Sequence, residues 1–251
     1  MIVAKEMLTM KHKKLIITLS IILGIILIGV IAFFIYVGSY YEADMDAIAK
    51  FDYEGFDIQE IEDGTTAFVP KTEYDTGIVF YPGGKVEHRA YIPLMKALAS
   101  NGVLTILVDM PFNLAVFDID RAEGVRDGFD NVKHWYMAGH SLGGSMACEY
   151  VADNLDSFEG VILLASYSAA DLSNTRLKVL SIYGSCDLVL NKESYLENKS
   201  NLPENTREYI IPGGNHAYFG TYGEQDGDGR ATITNREQIE ITVREIVDFI
   251  K

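Results

Sequence analysis

The chain has 251 residues, 48 % of them hydrophobic and 23 % charged, a balance that excludes a wholly disordered polymer. Two cysteines exclude a disulfide-stapled scaffold, and no CxxC or Cys/His cluster signals structural zinc. With 21 Lys+Arg against 36 Asp+Glu the net charge is −15, which repels phosphate and argues against a nucleic-acid partner.

Residues 15–37 carry no charge, and Thr18, Ser20 and Tyr36 are their only hydroxyl-bearing side chains. At about 1.5 Å per residue such a helix spans roughly 35 Å, enough to cross a bilayer core. Lys5, Lys11, His12, Lys13 and Lys14 precede it. Residues 1–14 therefore read as a basic cytoplasmic segment, 15–37 as a transmembrane anchor, and everything after Val37 as extracytoplasmic. A cleaved signal sequence is the rival reading, with Val37-Gly38-Ser39 supplying small residues for a peptidase. Its apolar region would run only about 7–15 residues. Cleavage would make the rest a secreted protein, still outside the cytoplasm. Taking four Lys and one Glu away with residues 1–37 leaves a net charge of −18.

Residues 38–56 read as a short stalk, and 57–251 as one α/β domain. An antiparallel hairpin is expected first, with 56–61 and 65–69 joined through Asp63-Gly64. Short β-branched or apolar runs follow at 77–81, 103–108, 134–138, 160–164, 179–183 and 208–211. Helical stretches at 88–100, 142–154, 191–200 and 234–250 alternate with them. Strands apolar on both faces, separated by helices, predict a doubly wound, mostly parallel sheet. Cys148 falls on a core-facing helix position, so it and Cys186 read as unpaired.

In such a sheet, chemistry sits at the carboxyl ends of the strands. After strand 134–138 comes Gly139-His140-Ser141-Leu142-Gly143, a G-x-S-x-G match between strand and helix. There the glycines allow a sharp turn that exposes Ser141 as a nucleophile. Its base is sought among five histidines. His12 lies across the membrane and His134 at the far end of its strand. His140 is inside the turn, where it packs, and His88 precedes Ser141. His216 remains, in the loop Pro212–His216 after the last strand. The acid that orients it should lie between them. Asp187 follows strand 179–183 closely and is the first choice, with Asp171 in reserve. The tetrahedral oxyanion needs two backbone donors. Leu142 N–H opens the helix, and Gly84 N–H, with Lys85 next, lies in the loop Tyr81–Lys85.

On these residues the chain resembles the α/β-hydrolase superfamily over about 57–251. More narrowly it is similar to small bacterial dienelactone-hydrolase-like proteins, through YPGGKVEHRAY (81–91), MPFNLAVF (110–117) and GGNHAYFGTYG (213–223). The resemblance implies the fold and serine-hydrolase chemistry. It departs from dienelactone hydrolases proper, which use cysteine where this chain has Ser141, so their substrate is not carried over.

The function expected is hydrolysis of an ester or related acyl bond in a small-molecule substrate, by a Ser141–His216–Asp187 triad and an acyl-enzyme. The alternatives are acyl transfer or peptidase action on the same triad, or a silent hydrolase-fold binding module. Neither metal nor organic cofactor is implied. About 25 residues between strand 103–108 and the elbow strand leave no room for a large cap, so an open site for short or medium acyl groups is expected. Asp226-Gly-Asp228-Gly-Arg230 echoes a calcium loop but has Arg230 at a ligand position and Ala231 for the turn glycine. Asn198-Lys199-Ser200 is a glycosylation triplet of a kind common by chance.

Overall fold

The computed structural model describes residues 2–251, with the side chains of residues 2–12 and of Glu62 outside the description. The side chains of Lys5, Lys11 and His12 thus lie outside the described residues. Two compact units emerge, Met1–Ser39 and Tyr40–Lys251. The first is one helix, α1 (Ile2–Gly38), whose stretch Lys13–Gly38 is long and apolar enough to cross a membrane. From Leu15 to Tyr36 its large apolar side chains are mostly exposed.

The second unit begins earlier than the sequence suggests. Residues 40–56, read as a stalk, pack onto the sheet domain through α2 (Met45–Ile48) and the chain around it. Ile48 and Phe51 are buried, Tyr41 N–H donates to the Lys85 carbonyl at 2.8 Å, and Asp44 N–H donates to Thr221 O at 2.9 Å. Phe51 joins the main core, and the Arg236 guanidinium stacks 4.5 Å from its ring centroid. An apolar residue at each helical turn, rather than a Pro/Ser-rich run, is what lets this stretch dock.

The strands are β1 (Phe56–Glu60), β2 (Thr66–Pro70), β3 (Thr76–Tyr81), β4 (Leu104–Leu107), β5 (His134–His140), β6 (Gly160–Leu164), β7 (Lys178–Gly184) and β8 (Arg207–Ile211). They form one sheet in the order β1-β2-β4-β3-β5-β6-β7-β8. The β1–β2 hairpin is antiparallel, with Phe56 opposite Pro70 and Glu60 opposite Thr66, and β2 is antiparallel to β4. All pairings from β4 onward are parallel. The crossover helices are α3 (Ile92–Ser100), α4 (Leu142–Asp153) and α5 (Lys192–Glu197), and α6 (Asn235–Ile250) closes the chain.

Strand alternation sorts the core into two layers. Ile78, Phe80, Ala138, Ile162, Leu164 and Ile182 face α3 and α6. Val79, Tyr81, Met137, Val161, Leu163 and Val179 face α4. Each fully buried aliphatic of this kind contributes roughly 1.5–3 kcal/mol. The expected helix 88–100 begins only at Ile92, after a 3₁₀ turn over His88–Tyr91, because Pro93 fits the first helical turn and no later one. Helix α6 starts as expected, where Thr234 and Glu237 form a reciprocal capping box.

Candidate active site

At the carboxyl end of β5 the chain turns directly into α4 through Gly139–Gly144. Ser141 adopts φ 51°, ψ −123°, a backbone conformation that costs a non-glycine residue of order 1–3 kcal/mol. Hydrogen bonds on both sides of the residue hold it there. Ser141 N–H donates to Leu164 O at 2.9 Å, while the Ser141 carbonyl accepts from Ser166 Oγ at 2.6 Å and from Gly144 N–H at 3.0 Å. The turn needs both flanking glycines. A Cβ on Gly139 would lie 2.5 Å from the Gly143 carbonyl carbon, and one on Gly143 would lie 2.2 Å from Pro82 O.

Two neighbouring loops at the same sheet edge bring Asp187 and His216 together. Ser185 N–H donates to Ile211 O at 2.9 Å and Cys186 N–H to Gly214 O at 2.8 Å, stitching the loop after β7 to the loop after β8. Asp187 Oδ2 then accepts from His216 Nδ1 at 2.9 Å, with the two side chains 0 % and 2 % exposed. Because a carboxylate only accepts, the Nδ1 proton is fixed and Nε2 of the neutral ring is left bare. The other carboxylate oxygen is satisfied by Val189 N–H at 2.9 Å and Leu190 N–H at 2.8 Å. Ser141 Oγ makes no hydrogen bond to His216 among the described residues, and the ring of the preceding residue, His140, lies 4.5 Å from that of His216.

The reserve carboxylate is elsewhere. Asp171 is exposed, and its Oδ1 accepts from Ser173 N–H at 3.0 Å and Ser173 Oγ at 2.6 Å, bonds that hold its carboxyl below the usual range. The other described histidines are also committed. His88 Nδ1 lies 3.0 Å from Asp109 Oδ1, and His134 pairs with Glu159, whose carboxyl that bond holds low.

Backbone donors separate the two oxyanion candidates. Lys85 N–H is taken by Asn113 O at 2.7 Å, and Gly83 N–H by Tyr91 Oη at 3.0 Å. Gly84 N–H has no hydrogen-bond acceptor among the described residues. Gly84 lies against Leu142, where an added Cβ would meet Leu142 Cδ2 at 2.8 Å. Leu142 is the first residue of α4, so its N–H has no intrahelical partner and the helix dipole favours negative charge beside it.

Four positioning groups escaped the sequence reading. Ser166 braces the elbow carbonyl as described. Gln238, fully buried on α6, accepts from Asn215 N–H at 2.9 Å and donates to Asn215 O at 2.8 Å, clamping the residue before His216. Asp228, weighed only as part of a calcium-like pattern, accepts from Ala217 N–H at 2.9 Å, Gly229 N–H at 2.7 Å and Leu188 N–H at 3.3 Å. It thereby ties the residue after His216 to the residue after Asp187. Tyr91 binds the glycine loop. The capping signal Asn/Asp-before-turn could have flagged Asp228; nothing local marks Gln238 or Tyr91.

The loop between β4 and β5 folds as 3₁₀ turns over Pro111–Asn113, Ala115–Phe117 and Ile119–Ala122, without a cap domain. Both cysteines are unpaired, Cys148 buried on α4 and Cys186 half-buried beside Asp187.

Residues 77–240 match the alpha/beta hydrolase family, well over half of the chain. No curated protein matches the sequence. Among solved structures, a predicted CIB-like hydrolase from Thermoplasma acidophilum superposes with TM-score 0.55 at 20 % identity, covering 77 % of this chain and 100 % of that one. Est1E from Butyrivibrio proteoclasticus gives TM-score 0.56 at 18 % identity, covering 78 % of this chain and 99 % of its own. The strand order, the glycine-flanked turn after β5 and the family match agree: this chain belongs to the alpha/beta hydrolase family, and the protein is a hydrolase.

Proposed function

We propose that the protein is a membrane-anchored, extracytoplasmic serine hydrolase that cleaves an ester or related acyl bond. The observation that carries this reading is the buried His216–Asp187 pair beside the Ser141 elbow, with its Nδ1 proton fixed and Nε2 bare. Ser141 Oγ attacks the acyl carbonyl while its proton passes to His216 Nε2, and Asp187 stabilises the imidazolium that forms. Leu142 and Gly84 N–H hold the oxyanion. As the tetrahedral adduct collapses, His216 returns the proton to the leaving alkoxide. Water then attacks the acyl-enzyme with His216 again as base, releasing the acid and restoring Ser141.

The uncapped mouth favours short or medium acyl groups. Leu114, whose Cδ2 lies 3.5 Å from a Cβ built on Gly84, supplies apolar lining beside the oxyanion donors. For location, the segment Lys13–Gly38 supports a membrane anchor, and the basic residues before it support a cytoplasmic N-terminus.

The test is the full chain in detergent against nitrophenyl esters of graded acyl length, beside Ser141→Ala. Hydrolysis should fall with chain length and be lost in the variant, along with fluorophosphonate labelling. Turnover surviving in Ser141→Ala would sink the assignment.

A further inference from the structure

Behind the elbow lies a buried polar pair that the mechanism above does not use. Tyr91 and His140 are 0 % and 1 % exposed, and Tyr91 Oη is 2.7 Å from His140 Nδ1. The same hydroxyl oxygen accepts from Gly83 N–H at 3.0 Å. A hydroxyl has one hydrogen, and the acceptor within its reach among the described residues is His140 Nδ1. Tyr91 therefore donates to Nδ1, and the single proton of a neutral His140 stands on Nε2.

That Nε2 is buried, with no completed hydrogen bond among the described residues. The His216 ring centroid is 4.5 Å from that of His140, and the Phe219 ring centroid is 5.5 Å from it. Burial first, and then His216, pushes the His140 pKa well below its ordinary value. The crowding is tight from the loop side too. A Cβ on Gly83 would fall 2.7 Å from both His140 Nδ1 and Tyr91 Oη.

We propose that Tyr91 and His140 are positioning residues, a directed chain running from Gly83 N–H through the Tyr91 hydroxyl and the neutral His140 ring to His216. The inference rests on the hydrolase reading above. One end of the chain occupies Gly83 N–H and so aims the next amide, Gly84, at the oxyanion. The other end places an uncharged ring against His216. That matters at the transition state, where His216 carries a positive charge that a second imidazolium at 4.5 Å would oppose.

The test uses the full chain in detergent, a short nitrophenyl ester, and rates normalised to sites titrated by fluorophosphonate. Tyr91→Phe keeps the ring packed on Phe80 and removes only the hydroxyl. Both it and His140→Leu should lower kcat per titrated site by about 10- to 100-fold with KM within about threefold, as for a displaced catalytic group. The double variant should lose no more than either single one, because both break one chain. His140→Asn, whose Oδ1 replaces Nδ1 as acceptor, should recover most of the His140→Leu loss. Histidine-selective ¹H–¹⁵N correlation of the wild type, with His140 assigned by its loss in His140→Asn, should place its proton on Nε2. A proton on Nδ1 overturns the chain whatever the activity and whether or not Tyr91→Phe folds. An active wild type with unchanged kcat in Tyr91→Phe and His140→Leu overturns it too. A wild type that neither turns over ester nor labels defeats the hydrolase reading itself, and with it the positioning role.

Discussion

Replacing Asp187 by Asn separates the carboxylate's orienting role from its bulk, because the two side chains share one shape. In the native protein one oxygen accepts from Val189 and Leu190 N–H at 2.9 and 2.8 Å, and the other from His216 Nδ1 at 2.9 Å. An Asn keeps its oxygen on the two backbone donors and so turns its NH₂ toward His216. Two donors cannot bond, and the ring relieves the conflict by moving its proton from Nδ1 to Nε2. In the proposed mechanism, Nε2 is the atom that must be bare to receive the Ser141 proton. Loss of the correct tautomer with geometry intact is worth about 10⁴-fold in kcat, or ~5.4 kcal/mol of barrier. The stability cost is smaller, at most about 1.5–3 kcal/mol for one hydrogen bond to a charged group. Nitrophenyl ester turnover per fluorophosphonate-titrated site, with urea unfolding alongside, reads both quantities. A kcat within tenfold of wild type, or an equal loss in Asp171→Asn, would refute the reasoning.

Four further outcomes are expected. Gly143→Ala places a Cβ 2.2 Å from Pro82 O, a backbone atom that cannot step aside; it should cost about 3 kcal/mol or more, and an unchanged urea midpoint would contradict the tight turn. Ser141→Gly should abolish turnover yet raise unfolding stability by about 1 kcal/mol, since glycine accepts the positive φ without strain, and a destabilised variant would count against strain at the elbow. Burial holds His140 neutral, so the unfolded chain binds more protons than the native one below about pH 6.5. Stability should therefore fall as pH drops below that point, and His140→Asn should flatten this slope above the pH where carboxylates titrate, Glu159 late among them because His134 holds it low. Burial pushes the Cys148 thiol up to about 12, so iodoacetamide should alkylate Cys186 alone in the native protein, as peptide mapping would show.

What could be read along the chain was what local chemistry dictates. Strands such as Val161–Leu164 need burial on both faces, and that need is written in four consecutive apolar residues. The elbow is legible because only glycine tolerates the approaches at Gly139 and Gly143. Residues 40–56 were opaque for the opposite reason. Phe51 is buried in a core shared with Val86, Ala90 and α6, far along the sequence. Likewise Gln238 stands 23 residues from the backbone it clamps, and Tyr91 stands 49 from His140. Neither residue type is unusual on its helix; only the folded edge of the sheet gives it a task.

The choice among three adjacent amides shows how the folded structure completes what a glycine-rich loop leaves open. Gly83, Gly84 and Lys85 offer equivalent N–H groups on paper, and loop flexibility alone ranks none of them. Buried backbone donors must be satisfied, so the first two questions are which neighbours accept and in what geometry. Tyr91 Oη takes Gly83, and Asn113 O takes Lys85, where Phe112 and Asn113 turn through φ 56° and 55° to present that carbonyl. The strain of two consecutive non-glycine residues at positive φ is thus coupled to removing Lys85 N–H from competition. Gly84, which lies against Leu142, keeps its N–H without an acceptor among the described residues. In the proposed mechanism, an amide with no acceptor among the described residues, beside the first residue of α4, suits an oxygen that becomes negative only during reaction.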